Sequence, residues 1–223
     1  MKKVLILGNN GYVGSLLTTK LNDKHDITGV DECWFGPNLG KSIVKNISSL
    51  SQNFLSEFDI IVCLAAHSSV PLANLDPEGA IQNNVVNLNR LMHFLLPHQQ
   101  LIYASSASVY GSDNFDAKED QENYQLHNIY DISKQLGDDL AKSYIKLGKN
   151  IVGLRFGTIC GISPNTRTDL AINNMILNGF NRGKFWVSNP HIKRSFLAVS
   201  DSVDAIDNII SGKSFTSGLY NVK

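Results

Sequence analysis

The chain has 223 residues with 20 basic and 20 acidic side chains, and its zero net charge excludes the positive field typical of proteins that bind nucleic acids or anionic membranes. No apolar run reaches the ~18–20 residues that span a bilayer, and Met1 and two lysines lead directly into a predicted strand, so we expect neither a membrane segment nor a signal peptide. The three cysteines are scattered, which predicts a reduced, cytoplasmic chain without a metal site.

The first predicted elements are a buried strand and a helix joined by a glycine-rich turn. Residues 4–7 are all aliphatic, which favours a strand covered on both faces. Three glycines follow at a spacing typical of dinucleotide-binding turns. Gly8 permits a tight turn, Gly11 lets the backbone approach a pyrophosphate, and Gly14 lets the helix over residues 12–21 pack closely. The N-terminus of that helix is predicted to face the phosphates.

A second strand, over residues 26–30, ends at Asp31. Its carboxylate lies about 20 residues past Gly11, where such folds place the acid that binds the adenosine ribose. Because this acid repels a 2′-phosphate, the pattern predicts NAD rather than NADP as the cofactor. The alternative interpretation is a helix-capping turn followed by a surface aspartate. In the third strand, predicted over residues 43–47, Asn46 is either an adenine contact or a turn asparagine.

The fourth predicted strand covers residues 59–66 and ends in two alanines, which leave room for a ligand at the carboxyl edge of the sheet. His67 follows in a loop, and we interpret it as structural rather than as a catalytic base because no carboxylate is near it in sequence. A long helix is predicted over residues 77–96, with Asp76 as its N-cap. Asn84 lies inside this helix, where it is suited to brace the neighbouring site.

The fifth predicted strand, over residues 101–111, breaks into serines at its carboxyl end. These serines either contact a cofactor and a substrate or cap the end of the strand. A polar loop is predicted over residues 112–128, and a helix over residues 130–146. Tyr130 and Lys134 share one face of that helix, and a cation near a phenol lowers the pKa of the phenol. A lone Tyr-x-x-x-Lys pattern is common by chance.

The remaining predicted elements complete a doubly wound, mostly parallel α/β fold. They are a strand over residues 151–156, a helix over 169–180, short strands over 185–187 and 195–199, and a helix over 201–210. We predict a dinucleotide-binding domain over residues 1–160, with residues 161–223 forming a partial substrate lobe packed on it as one structural unit.

Taken together, the motifs resemble the extended short-chain dehydrogenase/reductase family, and within it the nucleotide-sugar 4-epimerases. The matching stretches are GNNGYVG (8–14), Asp31, CLAAHSSV (63–70), NNV (83–85), SSASVYG (105–111), YDISK (130–134), LRFGTICG (154–161) and RSFLAVSD (194–201). The resemblance implies that Tyr130 is the catalytic acid/base and that Ser106 hydrogen-bonds the reacting sugar hydroxyl. It also implies that Lys134 lowers the pKa of Tyr130 and binds the ribose.

The resemblance further implies two sets of binding residues. The cofactor set comprises Gly8, Asn10, Gly11, Tyr12, Val13, Gly14, Asp31, Asn46, Ile47, Leu64, Ala65, Ala66, Asn84, Ser105, Tyr130, Lys134 and Phe156. The substrate set comprises Ser68, Ser106, Ala107, Ser108, Thr158 and Arg194. In this interpretation Arg194 clamps the substrate diphosphate, and a solvated surface cation is the alternative.

Three departures from the family pattern bear on the substrate. Thr158 stands where the family usually has an asparagine that touches the diphosphate, and Ser68 is a weaker phosphate partner than the usual residue in its loop. Family members also usually run on well past the position of Lys223, so we expect a truncated substrate lobe.

The sequence therefore predicts an NAD-dependent sugar-nucleotide epimerase that oxidises a sugar hydroxyl to a ketone and reduces it again. Two alternatives stay open: an NAD(P)-dependent reductase that releases its oxidised cofactor, and a shortened, non-catalytic NAD-binding module. The expected partner is a small nucleotide sugar, with no nucleic acid and no membrane. The resemblance also implies a homodimer through the helices over residues 77–96 and 130–146.

Overall fold

The computed structural model describes residues 1–39, 42–111, 116–122, 124–187, 190–212 and 215–223. Within these ranges the strands are β1 (Lys3–Leu7), β2 (Asp26–Asp31), β3 (Ser42–Val44), β4 (Ile60–Cys63), β5 (Gln100–Ser106), β6 (Ile151–Phe156), β7 (Thr158–Cys160), β8 (Phe196–Ala198) and β9 (Gly218–Val222). The helices are α1 (Tyr12–Leu21), α2 (Gln52–Leu55), α3 (Val70–Leu75), α4 (Pro77–Ile81), α5 (Asn87–Phe94), α6 (Ile129–Lys146), α7 (Ala171–Arg182) and α8 (Val199–Ile210).

The main sheet contains seven strands in the order β3-β2-β1-β4-β5-β6-β9, and each neighbouring pair is parallel. The direction of winding reverses between β1 and β4. In open α/β sheets, ligands bind outside the carboxyl ends of the strands at such a reversal. The predicted doubly wound α/β fold is confirmed. A second, two-stranded sheet pairs β7 with β8 in parallel.

The aliphatic run of β1 is explained by burial on both faces of the sheet. Leu5 and Leu7 point into one core, which α5 and α6 cover with Leu91 and Ala141 among others. Val4 and Ile6 point into the opposite core, where α1 and α8 pack. These four side chains are fully buried, and only Lys3 at the start of β1 is exposed. Because successive side chains of a strand face opposite ways, only a strand covered on both sides needs four consecutive apolar residues.

Three strands end earlier than the sequence predicts: β4 ends at Cys63 rather than at residue 66, and in β3 and β5 a polar side chain begins a turn. β3 ends at Val44, and the Asn46 side chain caps a 3-10 turn over Ile47–Ser49 by accepting a hydrogen bond from Ser48 N (2.8 Å). β5 ends at Ser106, whose Oγ accepts a hydrogen bond from Ser108 N (3.2 Å) and so begins a 3-10 turn over Ala107–Tyr110. Both turns hold their residues at the carboxyl edge of the sheet.

The helix predicted over residues 77–96 is divided into α4, a π-helical turn over Gln82–Val86, and α5, which ends at Phe94. Asp76 is its N-cap as predicted, since Oδ1 accepts a hydrogen bond from Gly79 N (3.0 Å). The wide π turn turns the buried Asn84 side chain toward the loop that follows β4.

The strand predicted over residues 185–187 is wrong, because these residues are exposed and carry no strand pairing. The partner of β8 is instead β7, which the sequence analysis does not predict, and β9 joins the main sheet beside β6. Part of the predicted loop over residues 112–128 lies outside the described residues.

No helix in the described ranges is both long and apolar enough to cross a membrane. Those ranges also contain no group of three or more His, Cys, Asp or Glu side chains arranged for a metal ion.

Candidate active site

A cleft of about 610 Å³ opens at the carboxyl edge of the main sheet. Most of the predicted cofactor-binding residues line it: Gly8, Gly11, Tyr12, Val13, Gly14, Asp31, Ile47, Leu64, Ala65, Ala66, Ser105, Tyr130, Lys134 and Phe156. All six predicted substrate-binding residues line it as well: Ser68, Ser106, Ala107, Ser108, Thr158 and Arg194. Residues far apart in sequence therefore meet in one cavity.

Three predicted cofactor contacts do not line the cleft, because each side chain is used within the protein. The Asn10 Oδ1 accepts a hydrogen bond from Leu39 N (3.1 Å). Asn46 caps its turn, and its Nδ2 donates to a Glu32 carboxylate oxygen (2.9 Å). The buried Asn84 side chain exchanges hydrogen bonds with the backbone of His67. These asparagines shape the loops around the cleft, and their role as cofactor contacts stays a prediction.

The glycine turn adopts the geometry that its spacing predicts. Gly8 has a φ of +87°, and a Cβ there would lie 2.6 Å from the Ala65 nitrogen, so only glycine fits. A Cβ on Gly14 would collide with the carbonyl of Gly8, which explains how closely α1 packs on the turn. As a result, the N-terminus of α1 opens directly onto the cleft.

Asp31 lies at the end of β2, on the rim of the cleft nearest the glycine turn. Its Oδ2 accepts a hydrogen bond from Asn10 N (2.9 Å), and its Oδ1 accepts one from Cys33 N (2.7 Å). Each carboxylate oxygen has a second acceptor position. The backbone therefore fixes the carboxylate while leaving it able to accept hydrogen bonds from a ligand's hydroxyl groups.

The cleft residues fit a dinucleotide. Within 4 Å a Cβ on Gly11 would meet only the Gly8 carbonyl oxygen, at 3.3 Å, so the backbone there is open to a ligand. Ser105 Oγ is buried, lines the cleft and has no hydrogen-bond partner among the described residues. A buried hydroxyl without a partner is costly unless a bound molecule supplies one.

The hydroxyl-bearing residues of the site meet where β5 ends and α6 begins. Ser106 Oγ donates a hydrogen bond to Ser108 Oγ (2.9 Å). Tyr130 lies in the first turn of α6, where Asn128 is the N-cap. Burial raises the pKa of Tyr130 above its ordinary value, while a hydrogen bond with Ser106 acts in the opposite direction. The Tyr130 side chain is therefore a neutral phenol at neutral pH.

Lys134 reaches the cleft one turn further along α6. Its Nζ donates a hydrogen bond to Ala104 O (2.9 Å) and lies 5.8 Å from the centroid of the Tyr130 ring. Burial lowers the pKa of Lys134 to about 8, although Cys63 and Asp138 partly oppose the shift. The predicted lowering of the Tyr130 pKa by Lys134 is not seen. Burial dominates both groups and moves their pKa values in opposite directions.

Asp131 is a cleft residue that the sequence analysis does not predict. It is buried, and its Oδ2 accepts a hydrogen bond from Asn128 Nδ2 (2.6 Å). Its Oδ1 has no partner among the described residues. The charge of Asp131 contributes to the raised pKa of Tyr130. Asn128 and Asp131 are three residues apart, which is the spacing of a helix N-cap and its partner. This spacing is the sequence signal from which the position of the carboxylate could be predicted.

A second part of the cleft, called the cationic wall below, contains Thr158, Arg167 and Arg194. The pairing of β7 with β8 brings Thr158 and the exposed Arg194 to this wall, with Thr158 N donating to Ser195 O (2.9 Å). Arg167, which the sequence analysis does not single out, donates to Ser68 Oγ (2.9 Å) and pairs with Asp169 (2.6 Å). The spacing of these residues in the sequence gives no sign that Arg167 reaches Ser68.

His67 does not line the cleft. Its buried ring lies 5.3 Å from the ring of Trp34 and is 3.1 Å from the Asp76 carboxylate, measured from Nε2 to Oδ2. A carboxylate is thus near His67 in space, though not in sequence. The pair joins the loop after β4 to the start of α4, which agrees with the structural interpretation of His67.

A fully buried ion pair fixes α6 against the sheet. Arg155 Nε on β6 donates to Asp138 Oδ2 (2.7 Å), and Tyr103 on β5 donates to Asp138 Oδ1 (2.7 Å). Arg155 also contacts the hydroxyl of Tyr110, which follows the cleft serines. Asp138 lies one helical turn after Lys134, so this network holds the two catalytic candidates on α6 in place relative to Ser106.

A family model described as the NAD dependent epimerase/dehydratase family matches residues 4–222. Among curated proteins, Protein CapI from Staphylococcus aureus is 29% identical over an alignment of 241 positions, which covers 93% of this chain and 69% of CapI.

Solved structures show the same similarity. MoeE5 in complex with UDP-glucose and NAD is 27% identical with a TM-score of 0.83, and the match covers 99% of this chain and 75% of MoeE5. The UDP-N-acetylglucosamine 4-epimerase from Methanobrevibacter ruminantium M1 has a TM-score of 0.86 at 24% identity, covering 99% of this chain and 76% of that one. The second likeness is evidence for the fold alone.

Proposed function

The chain belongs to the NAD-dependent epimerase/dehydratase family, and on that premise we propose that this NAD-dependent enzyme is a nucleotide-sugar 4-epimerase. The enzyme oxidises the 4-hydroxyl of the sugar to a ketone and reduces it again on the other face of the ring. The observation that carries the proposal is that one cleft contains Ser106, Tyr130 and Lys134 together with the glycine turn and Asp31.

The cofactor side of the cleft is assigned to NAD. Gly11 and the N-terminus of α1 face the pyrophosphate, where backbone N–H groups favour anions. Asp31 accepts hydrogen bonds from the adenosine ribose, and the unpartnered Ser105 hydroxyl is assigned to the same ligand. The chemistry that bound NAD would supply is reversible hydride transfer with the sugar carbon.

Tyr130 and Ser106 handle the proton of the reacting hydroxyl. Tyr130 takes this proton as the ketone forms and returns it when the ketone is reduced, while Ser106 hydrogen-bonds the sugar oxygen. Because the raised pKa of Tyr130 favours the phenol, the residue is prepared to donate. Its action as a base requires a nearby positive charge to stabilise the phenolate.

Lys134 supplies that charge. With a pKa of about 8, its side chain is mainly an ammonium ion at neutral pH. The ammonium stabilises the Tyr130 phenolate as it forms and holds the ribose of the cofactor. The hydrogen bond from Nζ to Ala104 O keeps the charge between the strand end and the phenol ring.

The cationic wall is assigned to the diphosphate of the substrate. Arg194 presents a planar fork that suits phosphate oxygens, and Thr158 lies beside it through the β7–β8 pairing. Arg167 adds a second guanidinium group, which donates a hydrogen bond to Ser68. Its charge is partly neutralised by Asp169. MoeE5 was solved with UDP-glucose, so uridine-diphospho sugars are the first substrates to examine.

The proposal is tested by incubating the purified protein and NAD with a panel of uridine- and thymidine-diphospho sugars and identifying the products by NMR. We expect a C4 epimer pair to approach equilibrium without net formation or consumption of NADH. Stoichiometric consumption of supplied NADH would instead identify a reductase. A protein that binds NAD but converts no sugar in the panel would be a binding module.

A further inference from the structure

Residues 161–167, called the strap below, run between the cationic wall of the cleft and the glycine turn. They follow β7 and precede α7. Asn165, Thr166 and Arg167 line the same cleft as the glycine turn. The strap has no regular secondary structure of its own, so its position depends on hydrogen bonds to other elements.

One group of hydrogen bonds fastens the strap to the first turns of α1. Tyr12 Oη donates to Gly161 O (2.7 Å), and Ser163 Oγ donates to Tyr12 O (2.6 Å). Ser163 Oγ also lies 2.8 Å from Ser15 Oγ, and both serines are buried. The helix end assigned to the pyrophosphate is therefore bonded directly to the strap.

Asn165 ties the strap to two further parts of the cofactor side. Its Nδ2 donates to Asn10 O (2.5 Å) within the glycine turn and lies 3.5 Å from Pro37 O in the loop after β2. A Cβ on Gly36 would collide with the Asn165 amide. The amide thus fills the space between the glycine turn and the loop that carries Trp34 and Phe35.

The far end of the strap is fastened to the loop after β4. Arg167 donates to Ser68 Oγ (2.9 Å) and to Ser68 O (3.3 Å). Asn173 on α7 holds both ends together, because Oδ1 accepts from Gly161 N (2.9 Å) and Nδ2 donates to Arg167 O (2.8 Å). The strap consequently joins the loops after β1, β2 and β4, which surround the cofactor side.

We propose that the strap retains NAD in the cleft and that Asn165 and Ser163 are positioning residues for this retention. A ligand in a cleft lined by both the glycine turn and the strap leaves when the strap separates from the turn, and the hydrogen bonds of Asn165 and Ser163 oppose that separation. The inference rests on the proposed function, because only an epimerase gains from keeping its NAD bound. An epimerase uses one NAD for both half-reactions, whereas a reductase must exchange its cofactor at every turnover.

The test measures the binding and release rates of NAD, without any nucleotide sugar, by the change in tryptophan fluorescence. Trp34 lines the cleft and Trp186 does not, so Trp34 is expected to supply the change. Asn165→Ala and Ser163→Ala are compared with the wild type. The matched control is Asn174→Ala, since that side chain donates to Thr168 O (3.2 Å) and does not line the cleft. We expect NAD release from Asn165→Ala to be about tenfold faster, the effect of losing one or two hydrogen bonds, with a binding rate that is equal or higher.

Release from Asn165→Ala that stays within about twofold of the Asn174→Ala rate would overturn the proposal. A binding rate that falls while release accelerates would overturn it too, because that result indicates a deformed glycine turn rather than an opened strap. If Asn165→Ala does not fold, Ser163→Ala and Tyr12→Phe provide the same comparison. Slow NAD release by a protein that converts no sugar would contradict the proposed function and leave the strap proposal intact.

Discussion

Tyr130 and Lys134 form a pair whose pKa values are shifted in opposite directions by the same cause. Burial raises the pKa of Tyr130 and lowers that of Lys134 to about 8. Both shifts favour the neutral forms of the side chains and move the two pKa values apart, so that the phenol of Tyr130 is a weaker acid than the ammonium group of Lys134. The proton of Tyr130 therefore stays on the phenol until a sugar oxygen accepts it, which suits the residue to act as the acid.

Replacing Tyr130 with Phe tests the proton transfer while preserving the ring. We expect turnover to fall by roughly 10²–10⁴, because positioned acid/base groups contribute about that much, and NAD affinity to stay near normal. Tyr144→Phe is the matched control, since Tyr144 lies on the same helix and its hydroxyl contacts Asn89 (3.2 Å) outside the cleft. Steady-state kinetics and an NAD titration separate the two effects. Unchanged turnover in Tyr130→Phe would show that the acid/base is misassigned.

The pKa of Lys134 predicts a pH dependence of NAD binding. If the ammonium holds the ribose, NAD raises the pKa of Lys134 in the complex, so binding takes up a proton wherever the free lysine is neutral. Affinity should therefore be constant below about pH 8 and fall above it, by at most about tenfold for each pH unit.

NAD titrations on both sides of pH 8 measure this dependence. Lys134→Met should bind NAD more weakly and without the fall above pH 8. Lys142→Met, on the same helix but outside the cleft, should behave as the wild type does. A wild-type affinity that does not change across pH 8 would remove Lys134 from the cofactor site.

Sequence reasoning identifies the side chains of the site better than their surroundings. Ser106, Tyr130 and Asp31 are found because each stands at a fixed offset from a local motif. Arg167 is missed because its contact with Ser68 joins residues distant in the chain, whereas Asp131 is missed although its spacing from Asn128 is a local signal. The direction of the Tyr130 pKa shift is wrong at the sequence level because desolvation depends on residues distant in the chain.

At the scale of elements, the same distinction between local and distant interactions holds. The turn between β1 and α1 and the strand β6 match their predicted bounds closely because local glycine spacing and apolar runs specify them. β7 and β9 are missed because short strands form only when distant partners pair with them. The boundary between a cofactor domain and a substrate lobe at residue 160 stays a prediction.

The junction of β2 with the glycine turn predicts cofactor choice. Asp31 receives backbone hydrogen bonds from both sides of this junction, so its charge is fixed at the rim. We expect NAD to bind at least about tenfold more tightly than NADP, a difference of about 1.4 kcal/mol. Asp31→Asn should reduce this ratio, whereas Glu32→Gln, which changes the adjacent acid, should preserve it. Equal wild-type affinities for the two cofactors in parallel titrations would exclude Asp31 as the discriminating residue.

At the scale of the whole molecule, the cleft brings together the residues proposed for oxidation and reduction, and its described part holds no carboxylate directly after Ser106. Dehydration needs a positioned acid and base, and the residues that follow Ser106 are Ala107 and Ser108, neither of which carries a carboxylate. Asp113 lies outside the described residues. The Asp131 carboxylate does line the cleft, where Oδ2 accepts from Asn128 and Oδ1 has no partner among the described residues. It offers one carboxylate rather than the separate acid and base that elimination requires. We therefore expect the ketone to be reduced again rather than dehydrated.

The most direct measurement of the central claim follows the hydrogen on C4 of a uridine-diphospho sugar. The protein is loaded with NAD and supplied with substrate deuterated at C4, and the products are analysed by NMR and mass spectrometry. Oxidation and re-reduction within one cleft predict a C4 epimer that retains the deuterium at C4. Loss of the deuterium to solvent, or a 4-keto-6-deoxy sugar as the main product, would contradict the account.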